Sequence, residues 1–365
     1  MARKKPLRIG LLTGGGDCPG LNAVIRAIVK TAINDYQAQV VGFKDGYLGL
    51  VEGWGVSLSY NDVSGILTRG GTILGTSNKA NPFEYLVKRG KGTKKIDASD
   101  RVFKTVKKFR LDAVILVGGD GTLSIGKRLY DLGLAVIGIP KTIDNDVMET
   151  DVTFGFDSAC ATATEAIDKI HDTAQSHHRV MIVETMGRYV GWLALHSGVA
   201  GGGDVILIPE IPYDINKVCK CLEERGRRGK RFSIVVVAEG ARPKGGSLVI
   251  RARDEGSHDP IRLGGIGNVL SKEIGDLTGL ESRVTVLGHV QRGGTPTPFD
   301  RVLATRFGAH AVRLVADATF GQMVSLKGTE ITQVTLAKAV SELKRVPLDS
   351  HLLAVARSVG TVFGD

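Results

Sequence analysis

The chain has 365 residues, 42% hydrophobic and 5% aromatic, with a formal net charge of +10. That length suits two domains and a large core, and no apolar run reaches the ~18 residues of a membrane span. Four cysteines without zinc-like or dense spacing, and a start, MARKKPLRIG, that lacks a signal peptide's apolar region, lead to the expectation of a cytoplasmic protein.

In chain order, short Val/Ile/Leu runs alternate with amphipathic stretches. Strands are predicted at 7–12, 39–43, 113–117, 134–139, 180–184, 204–208, 233–238 and 284–287. Helices are predicted at 20–35, 100–109, 123–132, 157–176, 214–229, 264–278 and 300–316. Several strands are continuously apolar, as strands covered on both faces are. The alternation therefore predicts an α/β architecture with mostly parallel sheets. Segments 78–99 and 241–262 are expected to be irregular insertions. The basic clusters 88–95 and 225–231 carry no interleaved aromatics for base stacking, so they are taken as solvated loops and nucleic acid is not an expected partner.

Three glycine-rich segments are taken as strand-following turns: 13–22 (TGGGDCPGLN), 118–122 (GGDGT) and 198–204 (GVAGGGD). Such turns let backbone N–H groups approach an anion, helped by the following helix N-terminus. GGDGT also carries Asp120. A carboxylate among phosphate-binding amides repels phosphate unless Mg²⁺ bridges them, so Asp120 is expected to hold magnesium, through water. Gly121 to Lys127 nearly matches a Walker A loop, but Arg128 replaces the required hydroxyl. The apolar run 134–139 leads directly into PKTIDND, 140–146, with a lysine, a hydroxyl and two carboxylates at the ligand-binding edge of a parallel sheet. Phosphoryl transfer to an alcohol needs a base, balancing cations and amides that hold the donor. Asp144 or Asp146 could be that base, the other helping to hold Mg²⁺ or to orient the site. Lys141 could stabilise charge on the moving group, and Thr142 could donate a hydrogen bond.

On these residues the chain resembles the bacterial-type phosphofructokinases. The resemblance runs over nearly the whole length through 13–26, DGYLGL (45–50), RGGTILGTS (69–77), GGDGT, PKTIDNDV (140–147), MGRYVGW (186–192), AEG (238–240) and RVTVLGHVQRGGTPTPFDR (283–301). It implies two Rossmann-like three-layer αβα domains with the active site in the cleft between them. The implied divisions are 1–155 plus about 291–341 for the nucleotide, and about 156–290 plus 342–365 for the sugar phosphate. It implies Asp144 as the base that takes the 1-hydroxyl proton of fructose 6-phosphate, Asp146 as a second carboxylate near magnesium, and Asp120 as the magnesium-binding aspartate. Gly16, Gly119, Gly121 and Thr122 match the nucleotide-phosphate cradle. Thr142, Met186, Gly187, Arg188, Glu239, His289 and Arg292 match sugar-phosphate contacts, joined by Arg179 and Arg283 from a neighbouring subunit. A homo-oligomer with shared sites is implied, a tetramer or a dimer. Asn78 and Lys79 stand where many members have a donor-contacting arginine.

Two positions bear on the phosphoryl donor. In the resembled family, Gly at position 121 leaves room for the ATP α-phosphate, whereas pyrophosphate users typically carry Asp there. Lys141, by contrast, is shared with pyrophosphate users. Sterics and charge at Gly121 favour ATP. The alternatives are a pyrophosphate-dependent enzyme of the same reaction, and a non-catalytic member binding sugar phosphate or nucleic acid.

Overall fold

The computed structural model describes residues 6–89, 92–253 and 261–365. Its first part runs β1 (Arg8–Thr13), α1 (Leu21–Tyr36), β2 (Gln39–Phe43), α2 (Tyr47–Glu52), β3 (Gly55–Leu58), β4 (Tyr85–Arg89), β5 (Gly92–Ile96), α3 (Ser99–Phe109), β6 (Ala113–Gly118), α4 (Asp120–Asp131) and β7 (Val136–Pro140). There follow α5 (Phe156–His177), β8 (Val180–Thr185), α6 (Trp192–Ala200), β9 (Val205–Leu207), α7 (Ile215–Arg227), β10 (Ser233–Ala238), β11 (Ile250–Arg253), β12 (Ile261–Leu263), α8 (Ile266–Thr278) and β13 (Ser282–Val286). The chain ends with α9 (Pro298–Ala316), β14 (Gln322–Lys327), β15 (Glu330–Thr335), α10 (Leu336–Ala339) and α11 (His351–Ser358).

Two sheets organise the molecule. The larger has the order β15-β14-β7-β6-β1-β2-β3, and the smaller β13-β8-β10-β9. The larger is parallel except at its edges, where β3 and β15 run antiparallel to their neighbours. The smaller is parallel throughout. Strands β1, β6, β7, β8 and β10 are buried almost throughout because helices cover both faces. In the larger sheet, β1 is followed on one side by β2 and on the other by β6. This reversal of strand order opens a crevice at the C-terminal ends of β1 and β6, the usual ligand position in such sheets.

The predicted fold class holds, and several local expectations are corrected. Segment 78–99 is not a plain loop: β4 and β5 pair as an antiparallel hairpin, anchored where Tyr85 Oη donates to Glu52 at 2.7 Å. Within 241–262, β11 and β12 also pair antiparallel. Helix α4 begins at Asp120 rather than at 123. The segment 198–204 does not follow a strand. It closes α6 and leads into β9, with the Gly201 carbonyl 2.7 Å from His171 Nε2. It lies apart from the strand ends that carry the acidic residues.

Candidate active site

Three strand ends meet in the larger sheet. Gly14 N–H donates to the Val117 carbonyl at 2.8 Å, and Lys141 N–H donates to the Gly118 carbonyl at 3.0 Å. The turns carrying Gly16, Gly119 and Pro140 to Asp146 thus share one edge. Gly119 caps α4, so Asp120, Gly121 and Thr122 form its first turn, where free N–H groups favour an anion. The 76–79 loop lies against the first glycine turn: Thr76 Oγ1 donates to the Gly15 carbonyl at 2.6 Å, and Gly15 N–H to that of Ser77 at 3.3 Å. Asn78 and Lys79 are exposed at its end. Asn22, on α1, holds the approach to this loop by accepting from Ile73 N–H at 2.8 Å. Lys127, the near-match to a Walker lysine, is on the surface and paired with Asp131 at 2.6 Å.

Lys141 is 3% exposed, and its ammonium donates to the Gly16 carbonyl. Burial lowers its pKa, opposed by the charges of Asp17 and Asp144. Arg292 arrives from the far end of the chain. Its guanidinium lies against Gly16 and donates to the Asp17 carbonyl at 3.0 Å. Two cations therefore converge on the first glycine turn.

The acidic turn follows immediately. Asp144 is buried, and its N–H donates to Thr142 Oγ1 at 3.0 Å. One carboxylate oxygen of Asp144 and one of Asp146 have no hydrogen-bond partner among the described residues. A buried carboxylate oxygen left unpaired is costly, so these oxygens are available to accept a hydrogen bond or a proton. Burial pushes the Asp146 carboxyl up to about 7, reinforced by the charges of Asp144 and Asp120. Asp120, Asp144 and Asp146 therefore share one electrostatic neighbourhood.

The smaller sheet faces this turn with its own strand ends. Glu239 N–H donates to the Thr185 carbonyl at 2.9 Å, joining the ends of β10 and β8. The Glu239 carboxylate accepts from Arg188 N–H at 3.1 Å. Burial pushes Glu239 up to about 7, and the negative charge of Asp144 is the next largest cause. The strand ends of the smaller sheet thus lie within electrostatic range of the acidic turn. Met186 is partly buried against the core, and Gly187 adopts φ 139°. Arg188 is left-handed at φ 51°, uncommon for a non-glycine residue. A Cβ on Gly240 would sit 1.8 Å from the Arg188 carbonyl oxygen, so only glycine allows this approach.

Glu239 has a consequence for stability. A carboxyl with a raised folded pKa keeps a proton that the unfolded chain has lost. Between about 4 and 7 the native state binds more protons, so stability falls as pH rises through that window. The slope reaches about 1.4 kcal/mol per pH unit for one group. Thermal unfolding measured from pH 5 to 7.5 should show Tm falling, and Glu239→Gln should flatten the decline.

His289 is exposed on a short 3₁₀ turn, Gly288–Arg292. Arg179 and Arg283 are not at the cleft. They lie at the opposite end of the smaller sheet, where Arg179 precedes β8 and pairs with Glu281 at 2.9 Å, and Arg283 pairs with the same carboxylate. Strand β8 separates Arg179 from Met186 by roughly 20 Å at ~3.3 Å per residue.

Two residues at the site escaped sequence reasoning. Glu184, at the end of β8, accepts from Gly265 N–H and Gly267 N–H, each at 2.9 Å, and so caps α8. A carboxylate ending an apolar strand was a readable signal. Lys344 reaches the acidic turn from near the chain's end, and no local pattern marks it.

The model of the family described as phosphofructokinase matches residues 8–315. This chain belongs to the phosphofructokinase family. It is 51% identical over 361 residues to ATP-dependent 6-phosphofructokinase 2 of Clostridium perfringens, covering 98% of both chains. It is also 52% identical over 346 residues to the pyrophosphate–fructose 6-phosphate 1-phosphotransferase of Amycolatopsis mediterranei, covering 94% of this chain and 98% of that one. Among solved structures, the phosphofructokinase of Pichia pastoris aligns at a TM-score of 0.79 and 31% identity, over 98% of this chain but 37% of that one. Phosphofructokinases with different donor names are thus equally similar to it, and overall identity does not separate the donors.

Proposed function

We propose that the chain is an ATP-dependent 6-phosphofructokinase, transferring the γ-phosphoryl of ATP to the 1-hydroxyl of fructose 6-phosphate. The observation that carries the reading is the acidic turn: two carboxylates with unpartnered oxygens, beside the buried Lys141, the half-buried Arg292 and the first turn of α4. In this reading Gly16, Asn78, Lys79, Gly119, Gly121 and Thr122 hold the nucleotide. Thr142, Met186, Gly187, Arg188, Glu239, His289 and Arg292 hold the sugar phosphate. Arginine suits that role because its planar fork binds phosphate at two points.

The residues also fit a magnesium ion. No group of three acidic, histidine or cysteine side chains poised to bind a metal occurs among the described residues. Asp120, through water, would hold the ion with the donor phosphates supplying other ligands, and the ion would offset phosphate charge. Asp144 accepts the proton of the 1-hydroxyl. The freed oxygen forms its bond to the γ-phosphorus as the bond to the β-phosphate oxygen breaks, and ADP leaves. Lys141, tethered to Gly16, stabilises charge on the transferred group.

Gly121 favours ATP over pyrophosphate, because an aspartate there would set a negative charge against the α-phosphate. A coupled assay offering each donor separately with fructose 6-phosphate tests this. Turnover with pyrophosphate alone would overturn the donor, and turnover with neither would overturn the reaction.

The position of Arg179 and Arg283, remote from their own cleft, supports a homo-oligomer in which they serve a neighbour's site. Asp144→Asn and Arg283→Ala proteins, each weakly active alone, should regain activity after mixed dissociation and reassembly. No recovery would mean that each chain completes its own site.

Gly240→Ala tests the sugar-phosphate side. The added methyl must displace Arg188, and a displacement of ~1 Å in a positioning group costs on the order of 10²-fold. The expected result is that loss in kcat/KM for fructose 6-phosphate, with the KM for ATP within about twofold.

A further inference from the structure

Lys344 lies outside every motif that the sequence singles out, yet it joins the two sheets behind the acidic turn. Its ammonium donates to Asn145 Oδ1 at 3.0 Å, to the Thr150 carbonyl at 2.9 Å and to the Asp151 carbonyl at 2.8 Å. All three of its protons are thereby used. Its backbone is held as firmly. Lys344 N–H donates to the Asp146 carbonyl at 2.9 Å, and the Lys344 carbonyl accepts from the Trp192 indole at 2.7 Å. Leu343 bridges to Val147, and Arg345 donates to the Tyr189 carbonyl at 3.3 Å. One segment thus touches both the acidic turn and the 186–192 loop.

The target of the ammonium is informative. Asn145 stands between the two carboxylates in a left-handed conformation, φ 53°. Asparagine tolerates that conformation but does not enforce it. Its side-chain oxygen accepts from Thr153 N–H at 3.1 Å as well as from Lys344. Fixing Asn145 fixes the chain's rotation between Asp144 and Asp146, and so the direction of both carboxylates. Half-burying an ammonium is expensive, and burial lowers its pKa to about 8.

We propose that Lys344 is a positioning residue for the acidic turn, holding Asn145 so that Asp144 is set against the acceptor hydroxyl while the same segment keeps the 186–192 loop in register with it. This rests on the assignment of Asp144 as base. Lys344→Met removes the charge and keeps the volume. Val346→Ala is the control, because Val346 is buried in the core of the smaller sheet and anchors the same segment away from the turn.

In wild type and both variants, kcat, substrate dissociation constants, Tm and amide hydrogen exchange across 142–153 are measured. Lys344→Met should lose on the order of 10–10²-fold in kcat, with dissociation constants for ATP and fructose 6-phosphate within about threefold and faster exchange in 142–153. Val346→Ala should lower Tm while keeping kcat and exchange in that stretch. A Lys344→Met protein with wild-type kcat and exchange but lowered Tm would overturn the proposal, since the lysine would then be only an anchor. If that variant does not fold, Asn145→Gly keeps the left-handed backbone and deletes the acceptor; full kcat and unchanged exchange there would overturn it equally. Wild-type protein without turnover would instead refute the assigned reaction, leaving the exchange comparison to judge the clamp.

Discussion

Asp144→Asn should lower kcat by ~10²–10⁴-fold, the usual share of a positioned base, with much smaller changes in the KM of either substrate. The amide is isosteric, so the N–H bond from residue 144 to Thr142 and the left-handed Asn145 can persist. A second readout follows from electrostatics. The charge of Asp144 helps to raise the Glu239 carboxyl, so its loss should move Glu239 back toward the ordinary range. Steady-state kinetics with a pH titration of the variant measures both. Undiminished turnover would remove Asp144 from the chemistry.

Gly121→Asp should reverse the preference for donor. Gly121 sits in the first turn of α4, where the backbone is helical and a carboxylate is favoured by the helix field. The substitution is therefore compatible with folding, and its cost falls on the ligand. Like charges ~4 Å apart repel by about 4 kcal/mol at an effective dielectric of 20. Screening by solvent and metal reduces this, leaving a loss of about 10²–10³-fold in kcat/KM for ATP. Pyrophosphate, which has no third phosphate to accommodate, should gain turnover, with Lys141 already in place. Unchanged use of ATP would show that residue 121 does not face the nucleotide.

The legible parts of the fold were those written in local pattern. Strands β1, β6, β7, β8 and β10 are uninterrupted apolar runs because both faces are covered, and sequence alone reveals them. The segment of the β4–β5 hairpin reads as a loop in sequence because it is a two-stranded ribbon rich in lysine, with too little buried surface to impose alternation. Strands β14 and β15 were missed for a related reason. QMVSLK is an inner strand with four buried positions, but Ser325 breaks its apolar run, while EITQVT, at the edge of the larger sheet, mixes apolar and polar residues and buries none of them fully. The site divides in the same way. TIDND and GGDGT declare themselves because chemistry concentrates several functional groups within a few residues. Glu184 and Lys344 act on partners 81 and 199 residues away, and spacing along the chain carries no trace of such distances. Arg292 was assigned to the sugar phosphate by resemblance. Its contact with Asp17, 275 residues earlier, could be seen only in three dimensions.

The larger sheet is completed late. Strand β14 lies beside β7, and α9 packs on α1, although all of the smaller sheet separates them in the chain. The last residues then return to the smaller sheet, where Val362 bridges to Val205. Neither half is therefore a contiguous gene segment. A recombination event that exchanged one half between relatives would have to splice several pieces at once, and a ribosome cannot release a finished first half before the second has been made.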